Sequence, residues 1–187
     1  KFEGEYLNGK KWNGKIKEYV EYNNYPTLIF EGDYKDGKRN GKGKAYDKKG
    51  KIIFEGEYLN GKKWNGIGKD FFENDYLIFE GKYLNGKRCG KVQEFDYPCV
   101  YDGHKIFEGE YKNEHRNGKG KEYYENHKLK FEGEYLNDQR NGNGKEYNKL
   151  GNLIFEGEYL NDQRNGKGKD YYKNGQLKFD GEYLNGK

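Results

Sequence analysis

Serine is absent from this chain, threonine occurs once (Thr27), methionine never, and proline and cysteine twice each. Each scarcity removes a class of chemistry or architecture. Without serine there is no serine nucleophile within these residues. Cys89 and Cys99 are too few for a disulfide framework or a four-ligand zinc site, and they read as ordinary reduced thiols. Long apolar runs are missing too. The bursts Thr27-Leu28-Ile29-Phe30 and Lys51-Ile52-Ile53-Phe54 are strand-sized, far short of the ~18 residues of a membrane span. Charge of one sign is also lacking: 36 Lys and Arg stand against 32 Asp and Glu, interleaved without blocks. The net +4 suits a solvated surface and gives no reason to expect a nucleic-acid partner. A cytoplasmic setting is the simplest expectation, with membrane or cytoskeleton association as the alternatives. The chain starts at Lys1 and begins and ends inside a repeated unit, which reads as a piece of a longer protein.

Aromatic residues and glycine are what the chain has in plenty. Aromatics make up 18% of it, with 20 Tyr, 11 Phe and 29 Gly. Hydrophobic residues are only 32%, a level that would suggest disorder were the rings scattered. They are not scattered. Phe-Glu-Gly-Glu-Tyr or a close variant starts at Phe2, Phe30, Phe54, Phe79, Phe107, Phe131, Phe155 and Phe179. The chain 1–187 is therefore one array of seven units with an eighth begun. A short unit repeated in phase means stacked elements that bury their apolar groups against neighbours. One unit alone has too few large side chains to offset its ordering entropy.

Within a unit, Leu129, Phe131, Gly133 and Tyr135 alternate with Lys130, Glu132 and Glu134, the pattern of a half-buried strand. Asn-Gly or Asn-Asp then supplies turn chemistry. Gly118 to Tyr124 resumes the alternation as a second strand, and a second turn follows, as in Lys173-Asn174-Gly175-Gln176. The pattern predicts an all-β fold: a single elongated, twisted, antiparallel meander of about 14–15 strands. Centring the turn on Asn113-Glu114 places Gly109 opposite Gly120, Tyr111 opposite Gly118, Glu108 opposite Lys121 and Glu110 opposite Lys119. That register leaves a bare glycine strip across which Phe and Tyr rings can lie. The insertions around Pro26 and Pro98 are expected to protrude as bends.

These residues resemble the MORN repeat, whose pattern runs aromatic-x-Gly-x-aromatic, a turn, then Gly-x-Gly. Asp170 to Leu177 adds a segment similar to the variant form found in bacterial and viral proteins. Local departures are Asn13-Gly14-Lys15-Ile16-Lys17 and Cys89-Gly90-Lys91-Val92-Gln93, which lack the second glycine. The resemblance implies an open repeat sheet that acts as a scaffold, that binds acidic phospholipids, or that serves as the targeting arm of an enzyme or an antitoxin-like binder.

The search for chemistry yields little. Gly-Lys-Gly-Lys lacks the spacing and the following helix of a phosphate loop. His104, His115 and His127 read as solvated turn histidines, and the glutamate pairs recur in too many copies to have divided catalytic roles. No catalytic residue, cofactor or metal is expected. Surfaces remain. For a protein partner the candidates are Trp12, Trp64, Tyr111, Tyr135 and Tyr159, on an aromatic groove, with open sheet edges available for self-association. For an acidic membrane, a basic residue recurs near one turn, at Lys10/Lys11, Lys38/Arg39, Lys62/Lys63, Lys87/Arg88, Arg116, Arg140 and Arg164. The stripe chosen from these is Lys11, Arg39, Lys63, Arg88, Arg116, Arg140 and Arg164. The competing reading is a solvated rim that keeps the turns soluble.

Overall fold

A computed structural model describes residues 2–72, 76–96 and 103–187, and among them the chain is strand joined by turns, with no helix. The first eight strands are β1 (Phe2–Leu7), β2 (Lys10–Tyr22), β3 (Tyr25–Lys35), β4 (Lys38–Tyr46), β5 (Ile52–Leu59), β6 (Lys62–Phe72), β7 (Tyr76–Leu84) and β8 (Lys87–Phe95). The rest are β9 (Lys105–Lys112), β10 (His115–Tyr123), β11 (Leu129–Leu136), β12 (Gln139–Tyr147), β13 (Leu153–Leu160), β14 (Gln163–Tyr171) and β15 (Leu177–Tyr183). Each strand neighbours those before and after it in sequence, and β1 does not meet β15, so the fifteen-stranded antiparallel sheet stays open instead of closing as a barrel. By contact density the chain divides into two compact units. Unit one is Lys1–Asp70 with Glu80–Lys87, and unit two is Phe71–Phe79 with Arg88–Lys187.

Two kinds of turn make the meander. At one edge two residues reverse the chain with both φ angles positive, as at Asn137 (49°) and Asp138 (70°), the requirement of a hairpin turn whose twist matches its strands. At the other edge, loops such as Asn148–Asn152 close through the Gly151 N–H to the Asn148 carbonyl (2.8 Å), with the Asn148 side chain accepting from Leu150 and Asn152. The two-residue turns are stapled to each other. The N–H of Asp138 donates to the Arg116 carbonyl and that of Asp162 to the Arg140 carbonyl, each at 3.0 Å, so every repeat holds its successor by backbone as well as by ladder.

The proline bend expected at Pro26 does not form. Asn23 and Asn24 make another two-residue turn, and Pro26 sits in the ladder opposite Glu21. Tyr22 and Tyr25 form the pair next to the turn, so Pro26 comes one place further, where a strand nitrogen points away from its hairpin partner. On that side β4 pairs only from Phe30 onward, and the missing N–H costs no ladder bond. The second insertion, with Pro98 and Cys99, lies largely outside the described residues.

The glycine strip exists and explains the core. Gly109 faces Gly120, and a methyl group on Gly120 would stand 2.6 Å from the Phe107 ring, so the ring occupies the space that two side chains would take. Phe131 lies in the same way over Gly133 and Gly144, and Phe155 over Gly157 and Gly168. Tyrosines wedge edge-on between these rings. In unit two, centroid distances run Phe107–Tyr135 5.3 Å, Phe131–Tyr159 5.2 Å and Phe155–Tyr183 5.3 Å. Phe30, Phe54, Phe107, Phe131 and Phe155 are fully buried, each contributing about 2–3 kcal/mol on a sheet over which, among the described residues, no second layer of secondary structure lies.

One detail of the expected register is corrected. Tyr111 faces Arg116, not Gly118, because Asn117, Gly118 and Lys119 bulge out opposite Glu110 alone. The expected Glu110–Lys119 pairing is lost with it. Lys119 instead faces Glu134 of the next hairpin, and Glu110 faces Lys91 of the previous one.

Candidate functional site

The bulge brings each arginine back over the aromatic row. The Arg140 guanidinium lies 4.1 Å from the Phe131 centroid, with Arg116 over Phe107 at 4.2 Å, Arg164 over Phe155 at 4.1 Å, Arg39 over Phe30 at 4.1 Å and Arg88 over Phe79 at 4.3 Å. A cation on a ring face is attractive, and more so where water is displaced. Carboxylates fix these cations, from two sides at Arg140 and Arg164. Arg140 donates to Glu122 (2.8 Å) and Glu146 (3.3 Å), Arg164 to Glu146 (2.5 Å) and Asp170 (2.8 Å), and Arg116 to Glu94 (2.8 Å). Burial alone would raise the Glu122 carboxyl. The bonds and charge of Arg140, with the Tyr135 hydroxyl, more than offset it and hold the group at about 2.

The membrane stripe expected from sequence is therefore spent largely on structure. Arg39, Arg116, Arg140 and Arg164 are partly buried and paired. Lys63 reaches Asp70 at 2.9 Å and stands 5.6 Å from the Phe54 centroid. Lys11 is exposed, 5.9 Å from Phe2. The aromatic candidates fare similarly. Tyr135 and Tyr159 are each 4% exposed and Tyr111 is half-buried, so this face is a sealed side-chain roof and not an open groove. Trp12 and Trp64 are half-buried, and the Trp64 ring packs against Gly86 of the next turn. Of the three histidines, His104 is not solvated. It is buried, edge-on to His127 at 5.9 Å, and its carbonyl accepts the Asp96 N–H. Cys89 is a free, partly exposed thiol. No cluster of three metal-ligating side chains occurs among the described residues.

The opposite face is a ladder of alternating charge. In unit two Glu108, Lys121, Glu132, Lys145, Glu156, Lys169 and Asp180 face one another strand by strand. In unit one Lys17–Glu31 (3.2 Å) and Lys44–Glu55 (2.9 Å) pair in the same way. The Tyr46 hydroxyl and Lys17 hold the Glu31 carboxyl below its ordinary range, and the bond to Glu31 pushes Tyr46 up to about 12. This face of unit one is hollowed into a cleft of about 860 Å³, bordered by Glu3, Lys15, Lys17, Tyr19, Glu31, Lys44 and Glu55 over the backbone of Gly32, Gly43 and Gly56.

The two-residue turns form a third surface. In unit one they present Lys10, Lys38, Lys62 and Lys87, all exposed and without a carboxylate partner among the described residues. Of the adjacent basic residues Lys38/Arg39 and Lys62/Lys63, the bulge turns the second inward and leaves the first exposed.

Paired strands that each carry the same glycines beneath the same ring define a repeat protein of stacked hairpins. The MORN repeat model matches residues 30–51, 79–91, 107–128, 131–149 and 155–177, more than half of the chain, and the chain belongs to the MORN repeat family. No curated protein compared with the chain matches it. MORN repeats are generally protein- or membrane-binding modules, typically without catalysis.

Proposed function

We propose that the chain is a non-catalytic protein-binding module and that the cleft on the charged face of unit one holds an extended segment of its partner. The carrying observation is the cleft itself: bare glycine backbone for a floor, rows of opposite charge for walls, and the half-exposed Tyr19 ring at its side. Like charges recur on every second strand, roughly 10 Å apart. A partner with charged groups at that interval exchanges pairs within the sheet for pairs across the interface. Exposed ion pairs are each worth only about 0–1 kcal/mol, so breaking them costs little.

Extended peptides displayed as a library and panned on the whole chain should enrich alternating-charge sequences. Lys17→Glu combined with Lys44→Glu should weaken the selected peptides about tenfold, the loss of one or two good ionic contacts. Binding indifferent to that double reversal removes the cleft as the site. Membrane tethering, the other role of such repeats, would fall to Lys10, Lys38, Lys62 and Lys87 in place of the arginines. Flotation with anionic vesicles that is abolished by salt would support it.

A further inference from the structure

The turn edges of the two units are complementary, and we infer that the chain pairs with a second copy of itself, the lysine edge of unit one lying along the acidic edge of unit two. In unit one the outward charges are Lys10, Lys38, Lys62 and Lys87. At the neighbouring turn position unit two has Glu114, Asp138 and Asp162, where most unit-one turns have glycine. These carboxylates are held in place. One oxygen of Asp138 accepts the Arg116 N–H (2.7 Å) and the other lies 2.6 Å from His115 Nδ1, one oxygen of Asp162 accepts the Arg140 N–H (2.8 Å), and Glu114 accepts the Arg88 N–H with the Arg88 Nε 3.8 Å from its other oxygen. The group is thus fixed before a partner arrives, which lowers the ordering cost of association.

Leucines run beside both rows. Leu7, Leu59 and Leu84 stand on the unit-one edge and Leu136, Leu160 and Leu184 on that of unit two, all between 38% and 70% exposed. Lys35 and Lys112 each interrupt the row once. A lone exposed leucine needs no explanation, but leucines recurring in phase along an edge form a patch. Turns succeed one another every two strands, roughly 10 Å, in both units, so the two edges share one pitch and lysine can meet carboxylate while leucine meets leucine. An anionic membrane would take the lysines but be repelled by the acidic row, and it leaves the unit-two leucines without a role. A second copy accounts for both edges. Each copy carries one edge of each kind, so the lysine edge of one copy can meet the acidic edge of another.

Sedimentation velocity of the whole 187-residue chain tests this. Self-association should appear at low salt and weaken about tenfold or more between ~50 and ~500 mM salt. Lys38→Glu with Lys62→Glu should abolish it. So should Gln139→Lys with Gln163→Lys, which reverses the local field of unit two while leaving the Asp138 and Asp162 staples intact, and an unchanged melting curve shows that folding is preserved. Mixing the two double variants should restore association, since the acidified edge of one then faces the basified edge of the other. A chain that stays monomeric at every concentration overturns the inference. So does association indifferent to both reversals, or recruitment of a monomer to phosphatidylserine vesicles through the same lysines.

Discussion

Two kinds of hairpin build this sheet, and a single residue separates them. In the arginine hairpin β11–β12, Tyr135 faces Arg140 and Gly133 faces Gly144, with Asn141, Gly142 and Asn143 bulging opposite Glu134. In the tryptophan hairpin β5–β6, Trp64 is an added residue, yet the bulge is smaller: Tyr58 faces Lys63, Gly56 faces Gly66, and Trp64 and Asn65 oppose Glu57. The glycine pairing has slid by two places, from the second glycine of the Asn-Gly-x-Gly segment to the first. β1–β2, which carries Trp12, slides likewise, with Gly4 facing Gly14. Two is the period of a strand, so this slide keeps every side chain on its own face, whereas a slip of one would turn the core to water. Neither tryptophan falls in a segment matched by the MORN model, which is what an altered spacing should produce. The exchange has local costs. Glu55 meets the exposed Ile67 where an arginine hairpin would offer lysine, and Lys63 stands 5.6 Å from its ring where Arg140 stands 4.1 Å from its own.

The comparison can be broken most sharply at the glycines. Gly144→Ala puts a methyl group 2.5 Å from the Phe131 ring, which has no room to withdraw beneath its arginine, and should cost about 3 kcal/mol in urea denaturation. Gly175→Ala, in a loop with nothing within 4 Å but φ at 83°, should cost only about 1 kcal/mol. Next comes the cation. Arg140→Ala strands the partly buried Glu122 carboxylate and should cost about 2–3 kcal/mol, while Lys63→Ala should cost about 1 kcal/mol. A smaller loss, or equal losses, would mean that the guanidinium roof contributes little.

The same roof predicts a pH response. Glu122 is held at about 2 against an ordinary 4.5. Its depressed value means that the stabilisation is complete above 4.5 and is lost as pH falls through that value toward 2. Amide protection factors in β10–β12, corrected for the intrinsic rate at each pH, should therefore fall as pH drops across this window, and Glu122→Gln should flatten the dependence. Deleting Trp64 should return β5–β6 to the arginine-type register, visible as a change in which amides of β6 are protected. The smallest effect is expected on the charged ladder. Lys44→Gln removes an exposed pair and should stay within about 0.5 kcal/mol in the same urea measurement.

Much of the fold was legible because it is periodic. The phase of Phe107, Gly109 and Tyr111 marks a strand, Asn137-Asp138 marks a turn, and their recurrence marks a meander; each is a local preference that the repeat reinforces. Glycine opposite glycine followed from counting outward from the turn. The bulge did not, because it arises from a contact between repeats: Arg140 is drawn over Phe131 and onto Glu122, a residue two strands away. With the bulge unseen, Arg116, Arg140 and Arg164 looked like outward charges and Tyr135 like an accessible ring. The cleft was hidden for the same reason. It depends on how Lys17, Glu31, Lys44 and Glu55 curve together on separate strands, and periodicity reports only which face each of them takes.

Sequence by itself determined that this chain would be a stack of hairpins with ring-covered glycines, since turn chemistry, two-residue alternation and a short repeat are properties of neighbours along the chain. Tertiary structure alone decided which basic residues seal the core and which remain outside. That choice turns on carboxylates 18 to 22 positions away, where attraction to a ring and a partly buried carboxylate outweighs hydration of the guanidinium.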